Sequence, residues 1–210
     1  GEKVARGAVR FERQGALTTI TASRNAIINY RSFDIAPGET VRFIQPDAAS
    51  RVLNRIQGPA PTRIDGNLTA NGRVYIVNPA GVVFGAGSIV NASGVIAAAG
   101  NLSDRDFLRG VDHFTGVKGA IINQGVIDAG SVALVGAAIE NTGQIVADGG
   151  VISMMVGGDV MVREADGNIM AKIDGRTVDP TRPPAPKARK GAVSSLAAGD
   201  AVAMAFVNRG

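Results

Sequence analysis

Short apolar runs separated by turn residues dominate the middle of the chain. Residues 73–77 and 82–84 are runs of β-branched and aromatic residues that flank Asn78-Pro79-Ala80-Gly81. Each run is too short for a stable helix, and Asn-Pro followed by Gly is typical of a turn. Pro79 has no amide hydrogen, and Gly81 tolerates a positive φ. The pattern therefore predicts a strand, a sharp corner and a second strand.

The same pattern recurs along the chain. Three segments can be laid over one another by their apolar and turn positions: 88–98, 120–136 and 138–157. Asn123 and Asn141 are 18 residues apart, whereas Val132 and Ile152 are 20 apart, so one turn carries two extra residues. A period of about 20 that is built from strand-length runs predicts a β-solenoid.

Alternation within these runs indicates which side chains face the interior of the solenoid. The predicted interior residues are Val74, Ile76, Ile121, Val132, Leu134, Ile145 and Ile152. Apolar residues make up 45% of the chain, aromatic residues only 4%, and tryptophan is absent. That composition suits a narrow interior of stacked aliphatic side chains, and the 28 glycines suit tight corners.

Three asparagines precede a corner glycine in the overlaid segments. Asn91, Asn123 and Asn141 are either members of a hydrogen-bonded ladder along the stack or ordinary turn residues. The sequence leaves both interpretations open.

An insertion separates two of the coils at residues 101–118. Ser103 is a candidate helix N-cap, and Gly110 is a candidate stop, so a short helix is predicted near 103–110. Phe107, Leu108 and Phe114 are expected to pin this insertion to the solenoid.

The charge distribution argues against a nucleic-acid-binding face. Residues 176–190 carry five basic groups and one acidic group, and the other 195 residues carry 17 of each sign. The excess lies in a stretch that also holds four of the nine prolines, which is typical of an extended loop. No apolar run approaches the roughly 18 to 20 residues of a membrane-spanning helix. The opening GEKVARG does not resemble a signal peptide, so we expect any such segment to precede it.

An enzyme of acidic polysaccharides, either a lyase or a hydrolase, is the alternative that a β-solenoid raises. Such sites need clustered carboxylates beside a cationic or proton-transferring group. Asp128 and Asp148 are the best candidates, but both precede glycine-bearing corners, where Asp is common turn chemistry. Asp112-His113 is expected to be a surface loop pair, and VREADGNIMAKI at 162–173 a β-hairpin. With one histidine and no cysteine, His-rich and Cys-based metal sites are excluded.

Five segments, in order along the chain, resemble the N-terminal secretion domain of two-partner secretion exoproteins, the filamentous haemagglutinin family. The segments are NAIINYRSFDIAPGETVRFIQP (25–46), LNRIQG (53–58), IDGNLTANGRVYIVNPAGVVFG (64–85), LSDRDFLRG (102–110) and INQGVIDAGSVALVG (122–136). Asn78, Pro79 and Gly81 fall on the family's Asn-Pro-Asn-Gly motif, with Ala80 in place of the second Asn. The resemblance fades beyond about residue 160.

This resemblance implies a fold and an export role. The fold would be an all-β, right-handed parallel β-helix with additional β elements covering its N-terminal end. The domain would direct a longer adhesin or haemagglutinin through an outer-membrane β-barrel transporter that has periplasmic docking domains. The exoprotein would be secreted or held at the cell surface, where its full length would contact host or environmental glycans or proteins.

The resemblance also implies which residues matter for transporter recognition. The family motif positions are Asn54, Arg55, Asn78, Pro79, Gly81, Phe84 and Gly85. No catalytic residue, cofactor or metal is expected.

The chain is expected to divide into three parts. Residues 1–178 would form the secretion domain, 179–190 a Pro-rich basic loop, and 191–210 a further β-helix coil that continues into a longer exoprotein.

Overall fold

The computed structural model describes residues 1–165, 168–178, 194–197 and 204–207. One helix, α1 (Asp104–Arg109), occurs in this part of the chain. The strands are β1 (Glu2–Arg6), β2 (Val9–Gln14), β3 (Leu17–Ala22), β4 (Ala26–Tyr30), β5 (Thr40–Ile44), β6 (Arg51–Ile56), β7 (Thr62–Ile64), β8 (Asn67–Ala70), β9 (Arg73–Val77), β10 (Val82–Phe84), β11 (Ile89–Ala92), β12 (Gly94–Ala98), β13 (Asn101–Leu102), β14 (Asp112–Thr115), β15 (Ala120–Asn123), β16 (Val126–Ala129), β17 (Val132–Gly136), β18 (Ala138–Asn141), β19 (Gln144–Val146), β20 (Val151–Val156), β21 (Asp159–Ala165), β22 (Asn168–Ile173), β23 (Arg176–Val178), β24 (Ser194–Ala197) and β25 (Met204–Val207).

Most strands stack into three parallel sheets, so the predicted β-solenoid is confirmed. The first sheet holds β4, β6, β9, β12, β17 and β20, the second β7, β10, β15 and β18, and the third β3, β5, β8, β11, β16 and β19. Successive strands along the chain move from one sheet to the next, so each coil crosses all three sheets.

The register places like side chains above one another inside the solenoid. In the first sheet Val52, Val74, Val95, Val132 and Ile152 form one continuous column. This column therefore buries an apolar side chain at the same position in each successive coil.

The predicted interior residues all belong to this core. Val74, Ile76, Ile121, Val132 and Leu134 are buried. Ile145 and Ile152 are half-buried and pack against the same cluster. The prediction is confirmed.

Glycine lies where neighbouring corners approach most closely. A Cβ built on Gly150 would lie 1.6 Å from the carbonyl oxygen of Gly130 in the adjacent coil. No side chain fits there without moving the backbone, which accounts for glycine at this corner.

The ladder interpretation holds for two of the three asparagines. Asn123 is buried, and its Nδ2 donates to Oδ1 of Asn141 at 2.7 Å. Asn91 lies in the third sheet rather than the second, and it stacks on Asp128. The overlay of 88–98 on 120–136 was therefore wrong, because it matched a strand of the third sheet to a strand of the second sheet. Since the insertion lengthens the coil, the residue beside Ile89 is Val126 and not the residue 20 positions further along the chain.

The insertion folds as predicted. The Ser103 hydroxyl accepts a hydrogen bond from the Asp106 amide at 3.0 Å, and Gly110 ends α1 with a φ of 71°. Phe107 and Phe114 are buried, and Leu108 packs beside them.

A fourth sheet, which is antiparallel, covers the outer face of the first sheet. We call it the cap sheet, and it contains β13, β14, β21, β22 and β23. The predicted hairpin is confirmed, since β21 and β22 are antiparallel and Ala165 lies opposite Asn168. Its two connecting residues lie outside the described residues. The cap sheet, α1 and the first sheet share a second apolar core that includes Ile27, Leu53, Tyr75, Ile96, Phe107, Phe114, Met155 and Val160.

Antiparallel strands lie at both ends of the solenoid. At one end β1 pairs with β4 and β2 pairs with β3. At the other end β24 pairs with β18 and β25 with β20. These last two strands run opposite to the direction expected for a further coil at 191–210. The predicted loop at 179–190 lies outside the described residues.

The described part of the chain contains no helix that is long and apolar enough to cross a membrane.

We expect Phe107→Ala to destabilise the domain by about 3 to 5 kcal/mol, because it leaves a cavity beneath the insertion. Denaturant unfolding measures the loss. Arg105→Ala, on the exposed side of the same helix, is the control and should change the midpoint little. Equal effects of the two substitutions would contradict the second core.

Candidate functional site

Asn78 is the centre of the corner between β9 and β10. Its side chain is fully buried, and Nδ2 donates to the Ala60 carbonyl oxygen at 3.0 Å and to Oγ1 of Thr62 at 3.1 Å. Its Oδ1 accepts the Ala80 amide at 2.9 Å. The amide group therefore ties its own turn to the coil below, and no polar atom of this side chain is left unpaired.

Gly81 completes the corner in a conformation that favours glycine. Its φ is 117°, and a Cβ there would lie 2.7 Å from the Ala120 carbonyl oxygen. Pro79 is half-buried, and Gly81 is buried. The predicted sharp corner between two strands is confirmed, and its residues are buried or half-buried.

Phe84 and Gly85 follow the corner and are also inside. Phe84 is fully buried in the main core. A Cβ on Gly85 would lie 1.9 Å from Oδ1 of Asp65, whose carboxylate accepts hydrogen bonds from the Arg63 guanidinium. Neither position offers a side chain to a partner of the folded domain.

Asn54 is a polar residue inside an apolar column. It stacks between Ile28 and Ile76, and its Nδ2 donates to the Tyr75 carbonyl oxygen at 3.1 Å. Its Oδ1 has no hydrogen-bond partner among the described residues. An unpaired buried oxygen costs about 1 to 3 kcal/mol, so packing alone does not explain an asparagine here.

Arg55 points to the opposite side of the first sheet. Its Nη2 donates to the Leu102 carbonyl oxygen at 2.8 Å and to Oδ1 of Asp104 at 2.5 Å. Its Nη1 donates to Oδ1 of Asn29 at 3.2 Å. The side chain is only 19% exposed. Arg55 therefore fastens the start of α1 to the solenoid.

Two further side chains join this contact, and sequence reasoning missed both. The Arg51 guanidinium lies 5.0 Å from the ring centre of Phe107, and Tyr75 meets the same ring edge-on at 5.2 Å. The Tyr75 hydroxyl donates to Oδ2 of Asp112 at 3.3 Å. Burial, followed by the nearby Asp112 carboxylate, raises the pKa of Tyr75 well above its usual range.

A signal for this contact was present in the sequence. Outward positions of the first sheet are apolar at Ile27, Leu53 and Ile96, and an apolar outer face requires a cover.

The candidate catalytic carboxylates do not stack on each other. Asp128 stacks beside Val146 rather than Asp148, and both carboxylates are exposed. The expectation of a surface loop at Asp112-His113 was wrong, since these residues lie in β14. His113 Nε2 is 3.1 Å from Oδ1 of Asp159. This pair links two strands of the cap sheet.

One apolar hollow of about 460 Å³ lies near the N-terminal end of the third sheet. Its lining includes Val9, Arg10, Thr21, Ile44 and Pro46 and contains no carboxylate. It is remote from Asp128 and does not form a reaction centre with it.

A parallel β-helix with a capped outer face and a buried Asn-Pro-Ala-Gly corner defines a class of export domains. Residues 12–209 match the family model described as "TPS secretion domain". The chain belongs to this family, whose members are exoprotein domains recognised by an outer-membrane transporter.

A solved structure supports the assignment. The chain is similar to the HMW1 secretion domain from Haemophilus influenzae, with a TM-score of 0.78 and 30% identity. The match covers 86% of this chain and 50% of the HMW1 chain.

Two curated relatives carry the name heme/hemopexin-binding protein, both from Haemophilus influenzae. One is 48% identical over 61 residues, which is 29% of this chain and 7% of the relative. The other is 39% identical over 88 residues, which is 41% of this chain and 10% of the relative. The matched segments are thus a small part of these long relatives.

We expect Gly81→Val to destabilise the domain by about 1 to 3 kcal/mol, because valine disfavours the positive φ and would press on the next coil. Gly15→Val is the control and should cost less, since Gly15 has a φ of 56° and no atom within 4 Å of its Cβ position. Urea unfolding measures the stability of both variants. An unchanged midpoint for Gly81→Val with normal expression would show that the corner is not constrained.

Proposed function

We propose that this chain is the leading domain of a large exoprotein, and that periplasmic docking domains of its transporter bind its N-terminal half. The main support for this proposal is the family match over residues 12–209. The motif at the corner between β9 and β10 is also part of the folded structure, since Asn78 is buried there. The exoprotein is exported, and we propose the outer cell surface or the medium as its destination.

We propose that the family motif serves recognition indirectly. Asn54, Asn78, Gly81 and Phe84 are buried, so their side chains do not form an exposed docking surface in the folded domain. The Arg55 guanidinium hydrogen-bonds to the start of α1 and does not extend into solvent. The motif therefore determines the shape of the solenoid and its insertion, and the transporter recognises the surface that results.

Backbone pairing at the N-terminal end is the docking mode that the structure favours. The strand β1 is the last member of the first sheet, and all five of its residues are exposed. The strand β2 ends the third sheet in the same way. Free strand edges accept an added strand through backbone hydrogen bonds and need no particular side chains.

The remainder of the exoprotein would carry its binding activity. We propose an adhesin-like or haemagglutinin-like protein that contacts host or environmental glycans or proteins. The names of the curated relatives add heme or hemopexin as a candidate ligand class for that remainder. We also propose that this domain is not an enzyme; in support, Asp128 stacks beside Val146 and not beside Asp148.

Deleting residues 1–7 should abolish capture of the domain by the soluble periplasmic part of its transporter, because β1 and its free edge are removed. Deleting residues 179–210 is the control and should leave capture intact. Circular dichroism and urea unfolding must show that both shortened chains fold. Capture that survives the first deletion but not the second would place the docking region at the other end.

No glycan cleavage is expected from this domain. Assays for reducing sugars and for unsaturated products on acidic polysaccharides test this directly. Turnover that disappears on Asp128→Asn or Asp148→Asn would favour the enzyme alternative.

A further inference from the structure

The outer face of the third sheet carries a regular lattice of exposed and half-buried side chains. Arg42, Thr69, Asn91 and Asp128 form one row across β5, β8, β11 and β16. Strands in a sheet lie about 4.8 Å apart, so the two ends of this row are separated by about 14 Å. The row continues to Thr19 and Glu12 on one side and to Val146 on the other. Arg42 and Asp128 are thus a cation and an anion at equal distances from the middle of the six parallel strands, between β8 and β11.

Both charged ends of the row are available to a partner. Arg42 and Asp128 are exposed, and within the described residues neither has a hydrogen-bonding or ion-pairing group. The nearest charged side chains at the N-terminal edge of this face, Arg10 and Glu12, pair with each other at 2.6 Å. The unpaired charges of the face are therefore of opposite sign and at opposite ends.

We propose that this face binds a second copy of the chain in an antiparallel, two-fold arrangement. The axis would run parallel to the strands and pass between β8 and β11. With this axis, each row of one copy faces the same row of the second copy. The order of the strands within the row is reversed between the two copies. Arg42 then faces Asp128 of the second copy, and Thr69 faces Asn91, so the face is its own complement.

The apolar side chains on this face fit the same arrangement. Ile44 and Ile89 are 44% and 53% exposed, and both point outward from the third sheet. By extension of the register, Ile44 lies opposite Gly130 of the second copy, where no side chain blocks it. Ile89 lies opposite Asn67. Association would therefore remove the two isoleucines from water.

The size of the face sets the strength of the complex. Six strands about 4.8 Å apart and four residues of about 3.3 Å each give a flat area on the order of 400 Å² per copy. The two copies together would contribute roughly 800 Å², which is less than a stable interface buries, so a weak and transient dimer is expected. Because its ion pairs are exposed, added salt should weaken it.

Charge reversal tests the proposal. Sedimentation equilibrium of the 210-residue chain should show a concentration-dependent monomer–dimer equilibrium at low salt. Arg42→Asp or Asp128→Arg should each raise the dimer Kd by about tenfold, since two like-charge pairs replace two ion pairs. The double variant R42D/D128R should return the Kd to near the original value.

Arg105→Asp, an equal charge change on α1, is the matched control and should leave the Kd unchanged. Unfolding midpoints of all variants should agree with that of the parent, because these side chains are exposed. A chain that remains monomeric up to about 1 mM would overturn the proposal. A double variant as weak as the single ones would overturn it as well.

Discussion

Adjacent coils of this protein lie one strand spacing apart, about 4.8 Å, and the rest of the structure depends on that constraint. Each residue has a fixed neighbour above and below, so its size and polarity must suit both. On the straight sides this produces columns such as Val52, Val74, Val95 and Val132. At corners it leaves room for little more than backbone, as at Gly150 against Gly130.

The same constraint explains the motif corner. A turn between two sheets leaves backbone groups that cannot join a ladder, and they must be paired inside the stack. Asn78 pairs them with its own amide, and Gly81 supplies the backbone geometry that lets the next coil approach. Asn78 and Gly81 are therefore residues that the coil spacing makes hard to replace.

The second apolar core ties function to the fold in a different way. Arg55 and Tyr75 face outward from the solenoid, yet both are covered because α1 and the cap sheet close over them. The outer surface of the domain on this side is thus the surface of the insertion and the cap sheet. Its position is fixed by two strands that precede it by about 50 and 30 residues in the chain.

Local patterns were sufficient for some features and insufficient for others. The Asn78 corner and the α1 caps follow from residues within a few positions of each other, so the sequence predicts them. The partners of Arg55 and the stacking of Asn91 depend on register across an insertion. A period of 20 residues does not reveal that register, because Ile89 pairs with Val126 instead. The burial of Asn54 also required the structure, since the sequence does not show which face of a two-sided apolar run lies inside the solenoid.

The central claim is that the motif acts through the stability and shape of the solenoid. The most direct measurement compares secretion of the exoprotein with unfolding free energy of this domain across two sets of variants. One set alters the motif, with Asn78→Ala, Gly81→Ala and Phe84→Leu, and the other alters ordinary core positions, with Val95→Ala and Leu134→Ala. Both sets of variants should follow a single relation, in which equal losses of stability give equal losses of secretion. Motif variants that fail to be secreted at unchanged stability would contradict it.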